Sequence, residues 1–254
     1  MMYVEETGIH GSPSILFLHG VGTSGWMWQR QIAALTDFHC LNVDLPGHGK
    51  SSHVPWVSLQ DTADQLAEII QARATNGQAH IVSLSLGGYI ALTLMLHHTE
   101  WVQSAVISGV TVEPMPNRYL LKPQLVMMSI LKRRWVANLQ AKSLNLTPDE
   151  QASFTENFGI MTIKTYRRIA EEIMVFTVPS ALQNVDVPAL ITAGSKETKI
   201  ILQAVDVIAD LMPRAQGWFA PNVGHGWNIE ATALFNKMLR TWLTDTTVLK
   251  QMPL

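Results

Sequence analysis

The stretch Ser83-Leu84-Ser85-Leu86-Gly87-Gly88 joins a short apolar run to a long helical pattern. A serine exposed on a tight strand-to-helix turn needs small residues two positions away on each side, because strand and helix approach closely there. Ser83 and Gly87 supply this pattern around Ser85. The turn also puts the serine at a helix N-terminus, where free amides stabilise developing negative charge. We therefore predict Ser85 as a nucleophile and the Leu86 amide as an oxyanion donor.

Outward from this turn, short apolar runs alternate with longer helical patterns, which is typical of a parallel sheet flanked by helices. Several runs are apolar at successive positions, as expected for strands covered on both faces. Tyr3–Thr7 is expected to add an antiparallel edge strand. The predicted strands are Ile15–His19, Cys40–Asp44, His80–Leu84, Ala105–Ser108, Ala189–Ala193 and Gly217–Pro221, and the predicted helices are Leu59–Ala74, Leu86–His98, Lys199–Met212 and Ala231–Leu243.

The regular alternation stops near Val112 and resumes near Val185. The intervening segment is rich in Leu and Met and is interrupted by prolines, a pattern that predicts several separate helices. Its simplest interpretation is a helical cap inserted between two strands. We therefore predict that residues 1–111 and 185–254 form an α/β core and that residues 112–184 form the cap.

Composition limits the classes of partner and the compartment. The chain has 254 residues, of which 47% are hydrophobic and 15% charged, and its net charge is −2. This near balance of charge gives no reason to expect nucleic acid or an acidic membrane as partner. Cys40 is the single cysteine, so an internal disulfide is impossible. The N-terminus lacks the pattern of a signal peptide, so we predict a cytoplasmic protein without membrane insertion. The sequence does not indicate an oligomeric state.

Two glycine-rich loops follow other predicted strands. In His19-Gly20-Val21-Gly22 the glycines let the backbone bend toward the serine, so the Val21 amide is the predicted second oxyanion donor. In Gly224-His225-Gly226 the flanking glycines give an imidazole room to reach the serine. This loop follows the last strand, at the sheet edge where ligand sites collect in open α/β sheets. His225 is therefore the predicted base.

An acid is needed to hold the imidazole in the correct tautomer. Glu197 follows the end of a predicted strand in Gly194-Ser195-Lys196-Glu197, so it is expected at the same sheet edge as the serine and the histidine. The other interpretation of Glu197 is a solvated loop charge. Glu113 is a geometrically possible substitute, and Asp186 is a poorer one. His19, His48 and Asp44 are interpreted as structural, because the chemistry has no need of them.

The order of these motifs resembles the α/β-hydrolase superfamily. It consists of the histidine-glycine bend, the turn Asp44-Leu45-Pro46-Gly47-His48-Gly49-Lys50-Ser51, the serine turn, an acid and a Gly-His loop. The resemblance covers nearly the whole chain except the predicted cap, and it implies the core fold, the cap position and a triad of Ser85, Glu197 and His225. Ser83 replaces the usual glycine, and Glu197 stands where aspartate is commoner.

The expected activity is that of a carboxylesterase, which forms an acyl-enzyme on Ser85 and requires no metal or organic cofactor. The expected substrates are small to medium, uncharged esters. Candidate pocket residues are Trp26, Met127, Met128 and Trp227. Other serine-dependent activities stay open: lipase, thioesterase, carbon–carbon bond hydrolase, perhydrolase and hydroxynitrile lyase. So do a non-enzymatic small-ligand receptor and a docking protein, because a fold does not decide its function.

Overall fold

A seven-stranded sheet forms the centre of the computed structural model, which describes residues 1–114, 123, 125, 126 and 146–247. The strand order is β1-β3-β2-β4-β5-β6-β7. β1 runs antiparallel to β3, and the other neighbouring pairs are parallel. The strands are β1 Val4–Gly8, β2 Ser14–Leu18, β3 His39–Val43, β4 Ala79–Leu84, β5 Val102–Ser108, β6 Ala189–Gly194 and β7 Ala215–Ala220.

Helices cover both faces of this sheet. On one face, Leu16 and Leu18 of β2 belong to the apolar cluster that includes Leu66 and Ile90. Ile15 and Phe17 point to the other face, where they join the cluster that includes Trp242. The α-helices of the described residues are α1 Gln29–Ile32, α2 Leu59–Arg73, α3 Leu86–His97, α4 Pro148–Ile160, α5 Ile163–Met174, α6 Lys199–Leu211, α7 Trp227–Glu230 and α8 Thr232–Thr244. Short 3₁₀ turns span Gly25–Trp28, Gly49–Ser51, Thr75–Gly77, Thr99–Trp101 and Ser180–Asn184.

The predicted fold class is confirmed, and each predicted strand and helix is present with ends that differ by at most three residues. The largest difference is in β5, which begins at Val102 rather than Ala105. The exposed Gln103 interrupts the apolar run there and hides the start of the strand. All five residues of β2 are buried, as the continuous apolar run predicted for a strand covered on both faces.

The described part of the predicted cap contains α4 and α5, which lie between β5 and β6 in the chain. Glu150 of α4 accepts a 2.6 Å hydrogen bond from Arg30 Nε, and Glu172 of α5 accepts one of 2.8 Å from the Leu59 amide. These contacts fasten both helices to the rest of the molecule. Met127 and Met128 lie outside the described residues, and the division into core and cap stays a prediction.

Parallel pairing puts the carboxyl ends of β2, β4, β5, β6 and β7 at one edge of the sheet. The residues that follow these ends include Val21, Ser85, Gly109, Glu197 and His225. This edge is where open α/β sheets bind ligands. Among the described helices, none has the length and apolar character needed to cross a membrane.

Candidate active site

Ser85 occupies a strained turn between β4 and α3. Its backbone has φ 54° and ψ −115°, in a region that a residue with a side chain rarely adopts. This conformation costs about 1–2 kcal/mol. Two hydrogen bonds hold the turn: the Ser85 amide donates to the Ser108 carbonyl at 2.8 Å, and the Gly88 amide donates to the Ser85 carbonyl at 2.8 Å. The neighbouring strand thus enforces the strain that exposes the hydroxyl.

The small residues on either side of Ser85 are explained by close approach to other strands. A Cβ atom at Gly87 would lie 2.2 Å from the Leu18 carbonyl oxygen, so only glycine fits there. Ser83 is fully buried, and its Oγ donates to the Val106 carbonyl at 2.9 Å. Ser83 stands where glycine is usual, and its extra hydroxyl group has a hydrogen-bond partner. This hydrogen bond removes most of the free-energy cost of burying the hydroxyl.

His225 and Glu197 form a hydrogen-bonded pair at the same sheet edge. The distance from His225 Nδ1 to Glu197 Oε1 is 2.6 Å, and the Glu197 side chain is 7% exposed. A carboxylate on Nδ1 fixes the proton there and leaves Nε2 free to accept one. The 44% exposed imidazole is held on a loop whose Gly224 amide donates to Glu230 Oε2 at 2.9 Å.

The other two predicted acids lie elsewhere. Glu113 is exposed in the loop after β5. Asp186 precedes β6, at the opposite end of the strand from Glu197, and its Oδ1 lies 3.8 Å from Arg214 Nε. Of the three acids, all of which the structure describes, Glu197 is the one that contacts His225.

Gly109 lies against the imidazole and was not predicted from the sequence. Its φ is +71°, and a Cβ atom there would lie 2.7 Å from His225 Cε1 and 3.0 Å from Nδ1. The Gly109 amide donates to the Thr192 carbonyl at 3.1 Å, which fixes the backbone under the ring. Its sequence signal is a glycine directly after a predicted strand, just as Gly20 directly follows the predicted strand Ile15–His19.

Ser85 and His225 both line two cavities. The larger is about 660 Å³, and its walls include Trp26, Met27, Phe154, Ile229 and Glu230. The smaller is about 280 Å³ and is lined mainly by apolar and aromatic residues, including Tyr89, Tyr166, Ile169, Ile173 and Met174. Within the described residues no hydrogen bond joins Ser85 Oγ to His225 Nε2, and contacts of this kind often tighten only when substrate binds. A substrate centred on Ser85 can extend into both cavities.

The two predicted oxyanion donors flank the serine. Val21 lines both cavities beside Ser85, and Leu86 is the first residue of α3. A Cβ atom on the neighbouring Gly20 would lie 3.6 Å from Ser85 Cβ, so the bend after β2 touches the serine turn. Neither the Val21 amide nor the Leu86 amide donates a hydrogen bond to another described residue. Both amides are therefore free for a ligand oxygen.

The predicted pocket residues differ in where the structure places them. Trp26 lines the larger cavity and meets the Phe154 ring edge-on at 6.1 Å. Trp227 is a correction, because its side chain is fully buried and its Nε1 donates to Ser108 Oγ at 3.0 Å. Because the indole of Trp227 is fully buried, it packs inside the protein and cannot touch a substrate. Met127 and Met128 lie outside the described residues.

The other polar residues of the motifs stabilise loops through hydrogen bonds to the backbone. His19 Nε2 accepts from the Leu45 amide at 2.9 Å while Nδ1 donates to the Gly20 carbonyl at 2.8 Å, and burial lowers the pKa of His19 to about 4. Burial, with His19 beside it, lowers the pKa of His48 to about 3. Asp44 accepts from the amides of Gly25 and Lys50. Both histidines are neutral at pH 7 and have structural partners.

Comparison with known proteins agrees with this arrangement of strands and loops. The model of the alpha/beta hydrolase family matches residues 15–237. The chain belongs to this family. The match confirms the resemblance of the motif order, and it extends through the segment that contains α4 and α5.

Other known proteins resemble this chain over part of its length or over nearly all of it. An AB hydrolase superfamily protein of Gibberella zeae is 38% identical over 101 residues, which are 39% of this chain and 36% of that protein. A pimeloyl-(acyl-carrier protein) methyl ester esterase of Vibrio vulnificus is 39% identical over 95 residues, 37% of this chain and 35% of the esterase. These alignments span little more than a third of the relatives. The structure of a thermophilic esterase from Thermogutta terrifontis matches with a TM-score of 0.77 at 18% identity, over 96% of this chain and 93% of that one, which shows a shared fold.

Proposed function

We propose that this alpha/beta hydrolase is a carboxylesterase acting on small to medium, uncharged esters through an acyl-enzyme on Ser85. The observation that carries the proposal is the meeting of three features at one sheet edge. They are the strained Ser85 turn, the His225–Glu197 pair, and two cavities lined by both Ser85 and His225. The chemistry needs no metal or organic cofactor.

In the first half-reaction, Ser85 Oγ attacks the ester carbonyl as His225 Nε2 takes its proton. The carbonyl oxygen becomes an oxyanion, which the amides of Val21 and Leu86 stabilise by hydrogen bonds. Glu197 holds the Nδ1 proton and stabilises the imidazolium. His225 then donates the proton to the alcohol oxygen, and the C–O bond breaks to leave an acyl-enzyme.

In the second half-reaction, a water molecule occupies the position that the alcohol has left. His225 Nε2 accepts a proton from the water as its oxygen attacks the acyl carbon. The same two amides stabilise the second oxyanion, and the proton returns to Ser85 Oγ as the carboxylic acid is released. Gly109 contributes by letting the imidazole lie close to the backbone.

The cavity walls support an uncharged substrate. The smaller cavity is dominated by apolar and aromatic side chains from α3 and α5, including Tyr89, Ile169 and Met174. The larger contains the carboxylate of Glu230, which repels an anionic group. In this proposal residues 112–184 form the cap, and α5 within it roofs the smaller cavity. The Vibrio relative, named for a methyl ester, supports ester chemistry.

Hydrolysis of p-nitrophenyl esters, from acetate to long acyl chains, tests the proposal directly. We expect turnover to be highest for short and medium chains and to fall for long ones, because the cavities are small. A fluorophosphonate probe should label the protein once, and mass spectrometry should locate the label on Ser85. No turnover across the series together with no labelling would overturn the proposal and favour a ligand receptor.

Trp26 is expected to limit the length of the substrate. It is 7% exposed and separates the larger cavity from a polar cavity of about 420 Å³ lined by Tyr3, Glu5 and Asn42. Trp26→Ala joins the two spaces, so the longest chain that is hydrolysed efficiently should increase. The measurement is kcat/KM across p-nitrophenyl esters with longer acyl chains and across acetates with longer alcohols. The series that responds identifies the group that occupies the larger cavity.

Trp26→Phe is the matched control for this substitution. Trp26 Nε1 has no hydrogen-bond partner among the described residues, so phenylalanine loses no polar contact and keeps most of the wall. Its chain-length profile should resemble that of the wild type. A wild-type profile in Trp26→Ala, with the protein folded, would contradict a wall at this position.

Gly109→Ala is expected to lower kcat/KM about 100-fold, because a methyl group would push His225 out of its position and small displacements at a reacting centre have effects of this size. Gly11→Ala is the control: Gly11 has φ +92° and nothing within 4 Å of its Cβ position. Both variants should lose about 1 kcal/mol of stability from the positive φ. Equal activities of the two variants would sink the positioning role of Gly109.

A further inference from the structure

A cluster of side chains that can bind a metal ion lies around edge strand β1. Glu6, His10 and His39 each offer one ligand atom, and these atoms lie within 4.8 Å of one another. We propose that this cluster binds a zinc ion. None of the three residues lines the two cavities at Ser85, so the proposed site is separate from the ester chemistry.

The pairing of β1 with β3 brings these side chains together. Gly8 pairs with His39 and Glu6 pairs with Leu41, which makes Glu6 and His39 diagonal neighbours on one face of the sheet. Gly8 lies directly opposite His39 in this pairing. His10 lies just beyond, and its ring centroid is 4.6 Å from that of His39. Two imidazoles and a carboxylate therefore meet, which is a ligand set that zinc prefers.

The spacing of two of these groups fits a shared zinc ion. His39 Nε2 and Glu6 Oε2 are 3.3 Å apart. Tetrahedral zinc with ligand bonds of about 2.0–2.2 Å separates its ligand atoms by roughly 3.3–3.5 Å. A direct charge-assisted hydrogen bond is usually shorter, about 2.7–2.9 Å. His10 is exposed, and its ligand atom lies within 4.8 Å of the other two. In the proposed site its side chain would rotate to shorten this distance, and water would take the fourth position.

His39 is also held in the way that zinc-binding histidines are held. Its side chain is 2% exposed, and its Nδ1 lies 3.0 Å from Ser14 Oγ. Ser14 Oγ accepts a 2.8 Å hydrogen bond from the Thr75 amide, which fixes the hydroxyl oxygen in place. When Nδ1 donates to this oxygen, the lone pair of Nε2 points toward Glu6. Such a partner on the second ring nitrogen orients the ligand and raises its basicity.

The positive charge of Arg73 should weaken zinc binding, and this effect gives the proposal a second test. Its Nη1 donates to Glu6 Oε1 at 2.9 Å, which leaves Oε2 facing His39. The positive charge beside a divalent cation weakens binding. Arg73→Gln should therefore bind zinc more tightly than the wild type, whereas loss of a ligand should weaken binding.

Calorimetric titration with zinc chloride tests the site. We expect one site in the wild type, at least tenfold weaker binding in His10→Ala and in Glu6→Gln, and unchanged binding in His53→Ala, which removes another exposed histidine. At 100 times the dissociation constant, zinc should raise the Tm by roughly 5 °C, and this shift should be lost in His10→Ala. His10 is preferred to the buried His39 because its loss leaves the fold intact.

A further variant separates this cluster from the candidate active site. His225→Ala removes the imidazole that pairs with Glu197, so zinc binding should persist in it. Binding that disappears in His225→Ala, binding that survives unchanged in His10→Ala, or no binding to the wild type would each overturn the zinc proposal. Esterase turnover is measured independently and decides nothing about this site.

Discussion

Ser85→Ala should reduce kcat/KM for p-nitrophenyl butyrate by about 10⁴-fold or more, because covalent catalysis and its proton transfer are lost together. Alanine keeps a Cβ atom at φ 54°, so the strained turn should be retained. The free energy of unfolding should change little, since Ser85 Oγ makes no hydrogen bond to another described residue. The measurement is steady-state kinetics with a parallel urea titration of both proteins.

Ser83→Ala is the control for this substitution. It removes a hydroxyl two residues away, which donates to the Val106 carbonyl inside the sheet. That hydrogen bond contributes about 1 kcal/mol to stability, so Ser83→Ala should be slightly less stable but should keep most of its activity. Turnover and probe labelling that persist in Ser85→Ala would remove Ser85 from the proposed mechanism.

Glu197→Gln should lower kcat by about 10⁴-fold, because an amide offers an N–H to His225 Nδ1 and favours the wrong tautomer of the imidazole. The 2.6 Å contact and the 7% exposure of the carboxylate make this pair sensitive to the loss of charge. Binding of substrate should be less affected, so KM should change much less than kcat. Single-turnover kinetics would show the slow step in acylation.

The other predicted acids supply matched controls. Glu113→Gln changes an exposed carboxylate in the loop after β5, and Asp186→Asn changes one near Arg214 at the opposite end of β6. Both should have wild-type kcat. If Glu113→Gln were the slow variant and Glu197→Gln the active one, the acid of the proposed triad would have to be reassigned. Glu197→Asp should be intermediate, because a side chain shorter by one methylene lengthens the 2.6 Å contact.

These predictions share one structural basis, which is the alignment of strand ends. β4 carries Ser85, β6 leads to Glu197, and β7 leads to His225. A backbone hydrogen bond joins the loops after β6 and β7: the Lys196 amide donates to the Val223 carbonyl at 2.9 Å. A rigid sheet therefore holds three side chains that are far apart in the chain, and precise placement of this kind is what proximity catalysis needs.

The sequence by itself determined which segments form strands and helices, in which succession they follow along the chain, and where the serine turn lies. The apolar runs, the helical spacing and the small residues around Ser85 are local signals, and each acts within a few residues of the feature that it specifies. The antiparallel edge strand β1 and the parallel sheet were predicted on the same basis. The start of β5 was misplaced because the exposed Gln103 breaks its apolar run.

Only the tertiary structure decided which side chains meet. The sequence favoured Glu197 but left Glu113 as a possible substitute, because both follow predicted strands. The distance to His225 distinguishes them, since it depends on how two loops pack. Trp227 follows His225 closely in sequence, yet the packing of the sheet buries it under the site. Gly109 had only the signal of a glycine that directly follows a strand, and the Glu6–His10–His39 cluster had no local signal. Their neighbours come from strands and loops distant in the chain, and those contacts exist only after the sheet has formed.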